Sequence, residues 1–225
     1  MSKYWANYWN QIDASKKQVS VGRTKFGLPV EEVLFARELA DIKKHLRLEK
    51  EDVVLDLCAG NGLITEDIHN YVKKVIAIDY SKPLLDEFVV SSDNVELQHQ
   101  DLSKYNFKAV NYNKVVWYFA IQHFSLEHSA QIIRNCLDNL GQGGILFIGD
   151  IPDIDKKWEF YSKIDYKKFY FDTLIENRDH IGNWFQKDFF RFLLNYLGYE
   201  GQYTILEKPD YHFNNGVRFD LLVEK

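Results

Sequence analysis

Val53-Val54-Leu55-Asp56-Leu57-Cys58-Ala59-Gly60-Asn61-Gly62 decides how the rest of the chain is read. Its first five residues are a short apolar run holding one carboxylate, the pattern of a strand buried on both faces of a parallel sheet. The next five break that run with small residues. Gly60 and Gly62 permit a turn in which backbone and ligand approach closely, because neither carries a Cβ. Outward from this stretch the same alternation repeats. Upstream, Val30, Val33, Leu34, Leu39, Ile42 and Leu46 recur at helical spacing with charges between them, predicting an amphipathic helix that ends near Leu48. Downstream, Ile64, Ile68, Tyr71 and Val72 mark a helix, residues 75–78 a strand ending in Asp79, and Pro83 the first turn of another helix. Strands are then predicted over 95–99, 114–118 and 145–148, with a helix over 126–140. A last helix over 187–197 precedes two strands, 203–207 and 217–223, whose turn-rich link favours an antiparallel edge pair. The expectation is an α/β fold: one domain over 1–225, a doubly wound, mostly parallel seven-stranded sheet with helices on both faces and an antiparallel edge strand pair.

The chain has 225 residues and a formal net charge of −5, with no long Lys/Arg run, so nucleic acid is set aside as a partner. No stretch approaches the ~18 apolar residues of a spanning helix, and the start MSKYWANYWNQ lacks a signal-like apolar core. No membrane association and a cytoplasmic location are therefore expected. Cys58 and Cys136 form no disulfide framework and read as buried thiols. The seven histidines lack metal-ligand spacing, so no metal is expected. Aromatic residues make up 16% of the chain and crowd into 156–199.

Open α/β sheets bind ligands beyond the carboxyl ends of their strands. After the first strand, a dinucleotide-type G-x-G-x-x-G would need glycine at 65, where Thr65 stands, and the next helix opens with Glu66 and Asp67. Two carboxylates at a helix N-terminus would repel a pyrophosphate, whereas a ligand bearing a sulfonium and an ammonium group meets no such conflict. The loop thus fits S-adenosylmethionine better than NAD, with a nucleotide-binding oxidoreductase as the alternative of a different class.

Val53 through Gly62 resembles the glycine-rich first motif of the class I S-adenosylmethionine-dependent methyltransferases. Asp56, Ala59, Gly60 and Gly62 would then form the cofactor loop. The resemblance implies that Asp79, with Tyr80 beside it, accepts hydrogen bonds from the ribose hydroxyls, and that Asp101-Leu102 holds adenine. It further implies that backbone carbonyls near Phe119 meet the methionine ammonium. Tyr118-Phe119-Ala120-Ile121-Gln122-His123-Phe124 is similar to the family's fourth strand end, and Leu140-Gly141-Gln142-Gly143-Gly144 to its Leu-x-Pro-Gly-Gly turn, with Gln142 in place of proline. The likeness runs over roughly residues 48–225.

Tyr4, Trp5, Tyr8 and Trp9 share one helical face and are expected in an amino-terminal lid, residues 1–29, with Tyr8 on the cofactor and Arg23 against its carboxylate. Residues 153–185 are expected to form an aromatic substrate-binding insert, which with Tyr8 and Trp9 makes the acceptor pocket. His123 is the candidate general base, with Asp150 and His180 as further candidates. The function expected is methyl transfer from S-adenosylmethionine to a small-molecule acceptor, a hydroxyl of a sugar or biosynthetic intermediate; protein N-methylation is the alternative within the class.

Overall fold

The computed structural model describes residues 3–25, 28–162, 164–177 and 182–225. The chain opens with α1 (Lys3–Asn10), two 3-10 turns and a small hairpin of β1 (Thr24–Lys25) and β2 (Leu28–Pro29). Then come α2 (Glu32–Leu46), β3 (Val53–Leu57), α3 (Leu63–Ile68), β4 (Lys74–Asp79), α4 (Lys82–Asp86), β5 (Val95–His99), β6 (Tyr112–Tyr118), α5 (Leu126–Asn139) and β7 (Leu140–Pro152). The last part holds α6 (Lys157–Phe160), α7 (Ile164–Ile175), α8 (Lys187–Tyr196), β8 (Tyr203–Glu207) and β9 (Arg218–Glu224).

The main sheet has seven strands in the order β5-β4-β3-β6-β7-β9-β8. The first five are parallel, and β9 runs antiparallel to both β7 and β8, as the apolar runs and the turn-rich final link predict. Strand order reverses between β3 and β6, which places the ligand-binding crevice of such a sheet beyond their carboxyl ends. Alternation along each strand sends side chains to two cores. Leu55, Leu57, Val115 and Trp117 pack with Ile132, Ile133, Cys136, Phe190 and Leu194 from α5 and α8. Val54 and Val116 pack on the opposite face with Leu39, Ile42 and Leu46 of α2 and Ile68 of α3.

Three features depart from the sequence reading. α4 is a single turn and a half, capped by Ser81, whose Oγ accepts from Leu84 N. β7 extends well beyond 145–148 at both ends, because the glycine turn pairs with Lys225 through Gly143 N to Lys225 O (2.9 Å) and Lys225 N to Gly144 O (3.0 Å). The third is the aromatic segment. Its rings pack on one another: Phe160 stacks on Tyr166 (5.4 Å between centroids), Trp158 on Phe171 (6.2 Å), and Tyr161 lies against Tyr170 (4.6 Å). α7 leaves Ile164, Phe171, Leu174 and Ile175 exposed.

Candidate active site

A cleft of about 850 Å³ opens at the carboxyl ends of β3, β4 and β6. Its floor begins with Asp56, which is buried and accepts from Thr65 Oγ1 at 2.7 Å. Burial, eased by that hydrogen bond and reinforced by nearby Asp79, pushes the Asp56 carboxyl up to about 7. Ala59 and Gly60 continue the wall. Gly60 has φ +59° and donates its N–H to Asp79 Oδ2 (2.8 Å); a Cβ there would lie 2.8 Å from Val21 Cγ1. The second Asp79 oxygen accepts from Ser81 N at 2.7 Å. Each oxygen thus holds one backbone donor and keeps lone-pair capacity toward the cleft. Burial raises the Asp79 carboxyl, and the N–H groups of Ser81 and Gly60 oppose the rise.

Tyr80, Asp101 and Leu102 line the same cleft. Asp101 uses Oδ1 to cap the following turn, accepting from Ser103 N (3.0 Å) and Oγ (2.8 Å), which leaves Oδ2 for an incoming amine. Phe119 closes the far side. Its carbonyl already accepts from Gln122 Nε2 (2.9 Å) and has room for one further donor. Cys58 and Phe119, directly after β3 and β6, and Asp150, at the irregularity within neighbouring β7, have φ of +58°, +57° and +60°. Such left-handed, non-glycine backbone concentrates where a site is being shaped.

The amino-terminal segment walls the mouth. Ser81 Oγ donates to the Trp9 carbonyl (2.6 Å) and Asn61 Nδ2 to the Lys17 carbonyl (3.1 Å), so Trp9, Val21 and Arg23 face the strand ends. Arg23 is no surface charge. Its guanidinium is buried, pairs with Glu38, and lies over the rings of Phe35 (4.7 Å) and Tyr118 (5.5 Å). His123 is 9% exposed, with Trp5 and Trp9 rings 4.3 and 5.4 Å from its own. Its Nδ1 is buried without a hydrogen-bond partner. Burial first, then the charge of Arg218, lowers this imidazole to about 3, so it is neutral at ordinary pH.

Several expected positions fall elsewhere. Tyr8 is 42% exposed and sits edge-on to Trp5 and Trp9 outside the cleft wall, because the helix turns Trp9 inward instead. Gly62 shapes the turn and does not line the cleft: it has φ +87°, and a Cβ there would lie 2.6 Å from the Phe88 ring. Cys58 is half-buried on the cleft wall, unlike fully buried Cys136. No described residue of 153–185 lines the cleft; that segment reaches it indirectly, Asn183 N and Nδ2 donating to the carbonyls of Gln122 (2.7 Å) and Phe124 (2.7 Å). Asp150 lies behind Phe119 with Arg218 and Asn214, and His180 lies outside the described residues. Asn61, Leu84 and Gln100 line the cleft without having been anticipated. Gln100 had a signal, since it directly precedes Asp101. Among the described residues no group of His, Cys, Asp and Glu could hold a metal ion, and no helix is long and apolar enough to cross a membrane.

Residues 54–144 match a family model described as a methyltransferase domain. A probable ribosomal RNA small subunit methyltransferase A of Methanococcus aeolicus is 32% identical over 88 residues, which is 36% of this chain and 32% of that protein. The chain thus spans between a fifth and a third of the length of the curated relatives it matches. Among solved structures, the plantazolicin methyltransferase BpumL in complex with SAH aligns with TM-score 0.65 at 15% identity, over 99% of this chain and 94% of that one. Magnesium protoporphyrin IX methyltransferase (ChlM) from Synechocystis PCC 6803 aligns with TM-score 0.63 at 12% identity, over 98% and 95%. The ribosomal RNA relatives overturn the setting aside of nucleic acid. Net charge sums the whole surface, whereas an RNA contact needs only a suitable local face.

Proposed function

We propose that this chain, which carries a class I S-adenosylmethionine-dependent methyltransferase domain, binds S-adenosylmethionine in the cleft and methylates a hydroxyl of a small acceptor, a sugar or another biosynthetic intermediate. The observation that carries the reading is the pair of buried carboxylate oxygens on Asp79 in a cleft that His123 also lines, its Nδ1 buried without a hydrogen-bond partner. The residues fit the methyl donor: Asp79 for the ribose hydroxyls, Asp101 and Leu102 for adenine, the Phe119 carbonyl for the ammonium, and Arg23 for the carboxylate. When bound, S-adenosylmethionine supplies a methyl group already activated on a sulfonium. The protein's contribution is then alignment at about 3 to 3.5 Å. His123, neutral, accepts a hydrogen bond from the acceptor hydroxyl at Nδ1 and holds that oxygen in place, while Trp5 and Trp9 exclude water from the imidazole. The acceptors in the names of the two structural neighbours, plantazolicin and magnesium protoporphyrin IX, support a small acceptor.

Ribosomal RNA as acceptor is the second reading, favoured by the Methanococcus relative. One experiment addresses both. Purified protein with isotopically labelled S-adenosylmethionine is offered a panel of hydroxylated metabolites and, separately, deproteinised ribosomal RNA. Label in a small molecule supports the first reading; label in RNA alone replaces it with the second. Melting shifts with S-adenosylmethionine and with NAD test the donor itself, since only a bound ligand stabilises the fold.

A further inference from the structure

Behind the cleft lies a buried ionic network that the sequence reading did not anticipate. Glu38, on the otherwise apolar face of α2, accepts from Arg23, from Tyr118 Oη (2.5 Å) and from His212 Nε2 (3.1 Å). Lys208 Nζ donates to Tyr118 Oη (2.8 Å) and to both oxygens of Asp220 (3.0 and 3.1 Å). Asp220 Oδ1 also accepts from Asp150 N (2.7 Å), and Arg218 lies 3.5 Å from Asp150 Oδ2. Three cations, Arg23, Lys208 and Arg218, therefore face three carboxylates, Glu38, Asp150 and Asp220, all of them buried.

Only Arg23 of these six charges lines the cleft. Its Nε is buried and has no hydrogen-bond partner, so the guanidinium keeps a donor beyond the one spent on Glu38. Burial works to raise the Glu38 carboxyl, but Arg23 and His212 override it and hold the group well below the usual carboxylate range. Glu38 is thus an anion held next to Arg23, the one Lys or Arg among the described residues that lines the cleft.

The ligands differ in charge. S-adenosylmethionine carries a sulfonium, an ammonium and a carboxylate, a net of +1; its demethylated product keeps the last two and is neutral. A bare arginine would serve the carboxylate of both but would repel the sulfonium of one. Resting on the reading of the cleft given above, we infer that Glu38 is a positioning residue which aims Arg23 at the ligand carboxylate and cancels its charge, and thereby sets the preference for the methyl donor over its demethylated product. The network gives the site a guanidinium hydrogen-bond donor without a net positive field, so the sulfonium of the donor meets no repulsion that its demethylated product escapes.

The test is the ratio of dissociation constants for S-adenosylmethionine and S-adenosylhomocysteine, from calorimetric titration at one pH and salt concentration. Glu38→Gln should move the ratio about tenfold toward the product, as expected of one partly screened charge near the sulfonium. Arg23→Gln should weaken both ligands and move the ratio the other way. The double variant, with the pair replaced by neutral groups, should weaken both and return the ratio to within about threefold of wild type. If Glu38→Gln does not fold, Arg23→Gln and the double variant still differ only at position 38 and must show the same sense of change. A ratio that moves less than twofold between folded proteins differing at Glu38 overturns the inference, because a merely structural glutamate would affect both ligands alike. Wild-type protein that binds neither ligand would instead withdraw the reading of the cleft.

Discussion

The strand ends of β3, β4 and β6 and the aromatic segment 153–185 are both rich in signals of a binding site, yet among the described residues only those of the first line the cleft. The difference lies in what fixes each group in place. Asp56, Gly60, Asp79 and Phe119 lie at or just beyond the ends of parallel strands, so their relative positions follow from sheet register: Asp56, one residue before the end of β3, pairs with Ala77 and Val116, each two residues before the end of its strand. The rings of 153–185 sit on short helices with no register to obey, and apolar rings beside one another pack on one another. A carboxylate at the end of a central strand is thus a positional statement, whereas aromatic content is only a statement about burial.

The largest expected effect tests the first half of this comparison. Gly60→Val places a branched side chain at φ +59° and 2.8 Å from Val21, and should weaken binding of S-adenosylmethionine by more than about 100-fold in titration of the folded protein. Normal binding would remove the loop from the site. Next is His123→Ala, which should lower turnover by about 100-fold, at the low end for a proton-handling residue because its imidazole is a weak base, with methyl-donor affinity nearly intact. The sign of its pH dependence follows from the lowered imidazole. With a value of about 3 it is neutral from pH 8 down to about 5, so wild type and variant should share the same pH profile in that window, any limb there coming from another group such as the Asp56 carboxyl near 7. A limb near pH 6.5 that vanishes in the variant would show an ordinary exposed histidine instead. Asp79→Ala should weaken the methyl donor by about 10- to 100-fold, through the loss of hydrogen bonds to a charged acceptor; an unchanged dissociation constant would break its assignment. The other half of the comparison is tested by Tyr161→Ala. Tyr161 is 0% exposed at the centre of the ring cluster, and its truncation should lower stability by about 3 kcal/mol in denaturant titration while leaving methyl-donor affinity within twofold. A matching loss of affinity would mean that the insert reaches the cleft after all.

The sheet and the loop that lines the cleft were legible because their information is local. Two-faced strands announce themselves as apolar runs, Asp79 ends β4, and Asp101 stands two residues after β5. Arg23 was legible as a charge but not as a buried one, since its partner Glu38 lies 15 residues away and the groups that hold Glu38 come from positions 118 and 212. One hint was present: Glu38 is adjacent to Leu39 and shares the buried side of α2 with Ile42 and Leu46. The inward turn of Trp9 in place of Tyr8 depends on the Ser81 hydrogen bond to the Trp9 carbonyl, a contact between residues 72 positions apart. Exclusion of nucleic acid failed for a different reason, because a whole-chain charge carries no information about any one face.

The left-handed residues Cys58, Phe119 and Asp150 also bear on how this protein would respond to selection for heat resistance. A side chain in that conformation is disfavoured by roughly 1–2 kcal/mol relative to glycine. A library screened only for survival at high temperature should therefore enrich Cys58→Gly, the substitution among the three that removes the least packing. The same change frees the turn that holds Gly60 N–H against Asp79, so the enriched variants should melt later and bind the methyl donor less well. Tolerance to heat and grip on the ligand are set against each other at a single backbone angle.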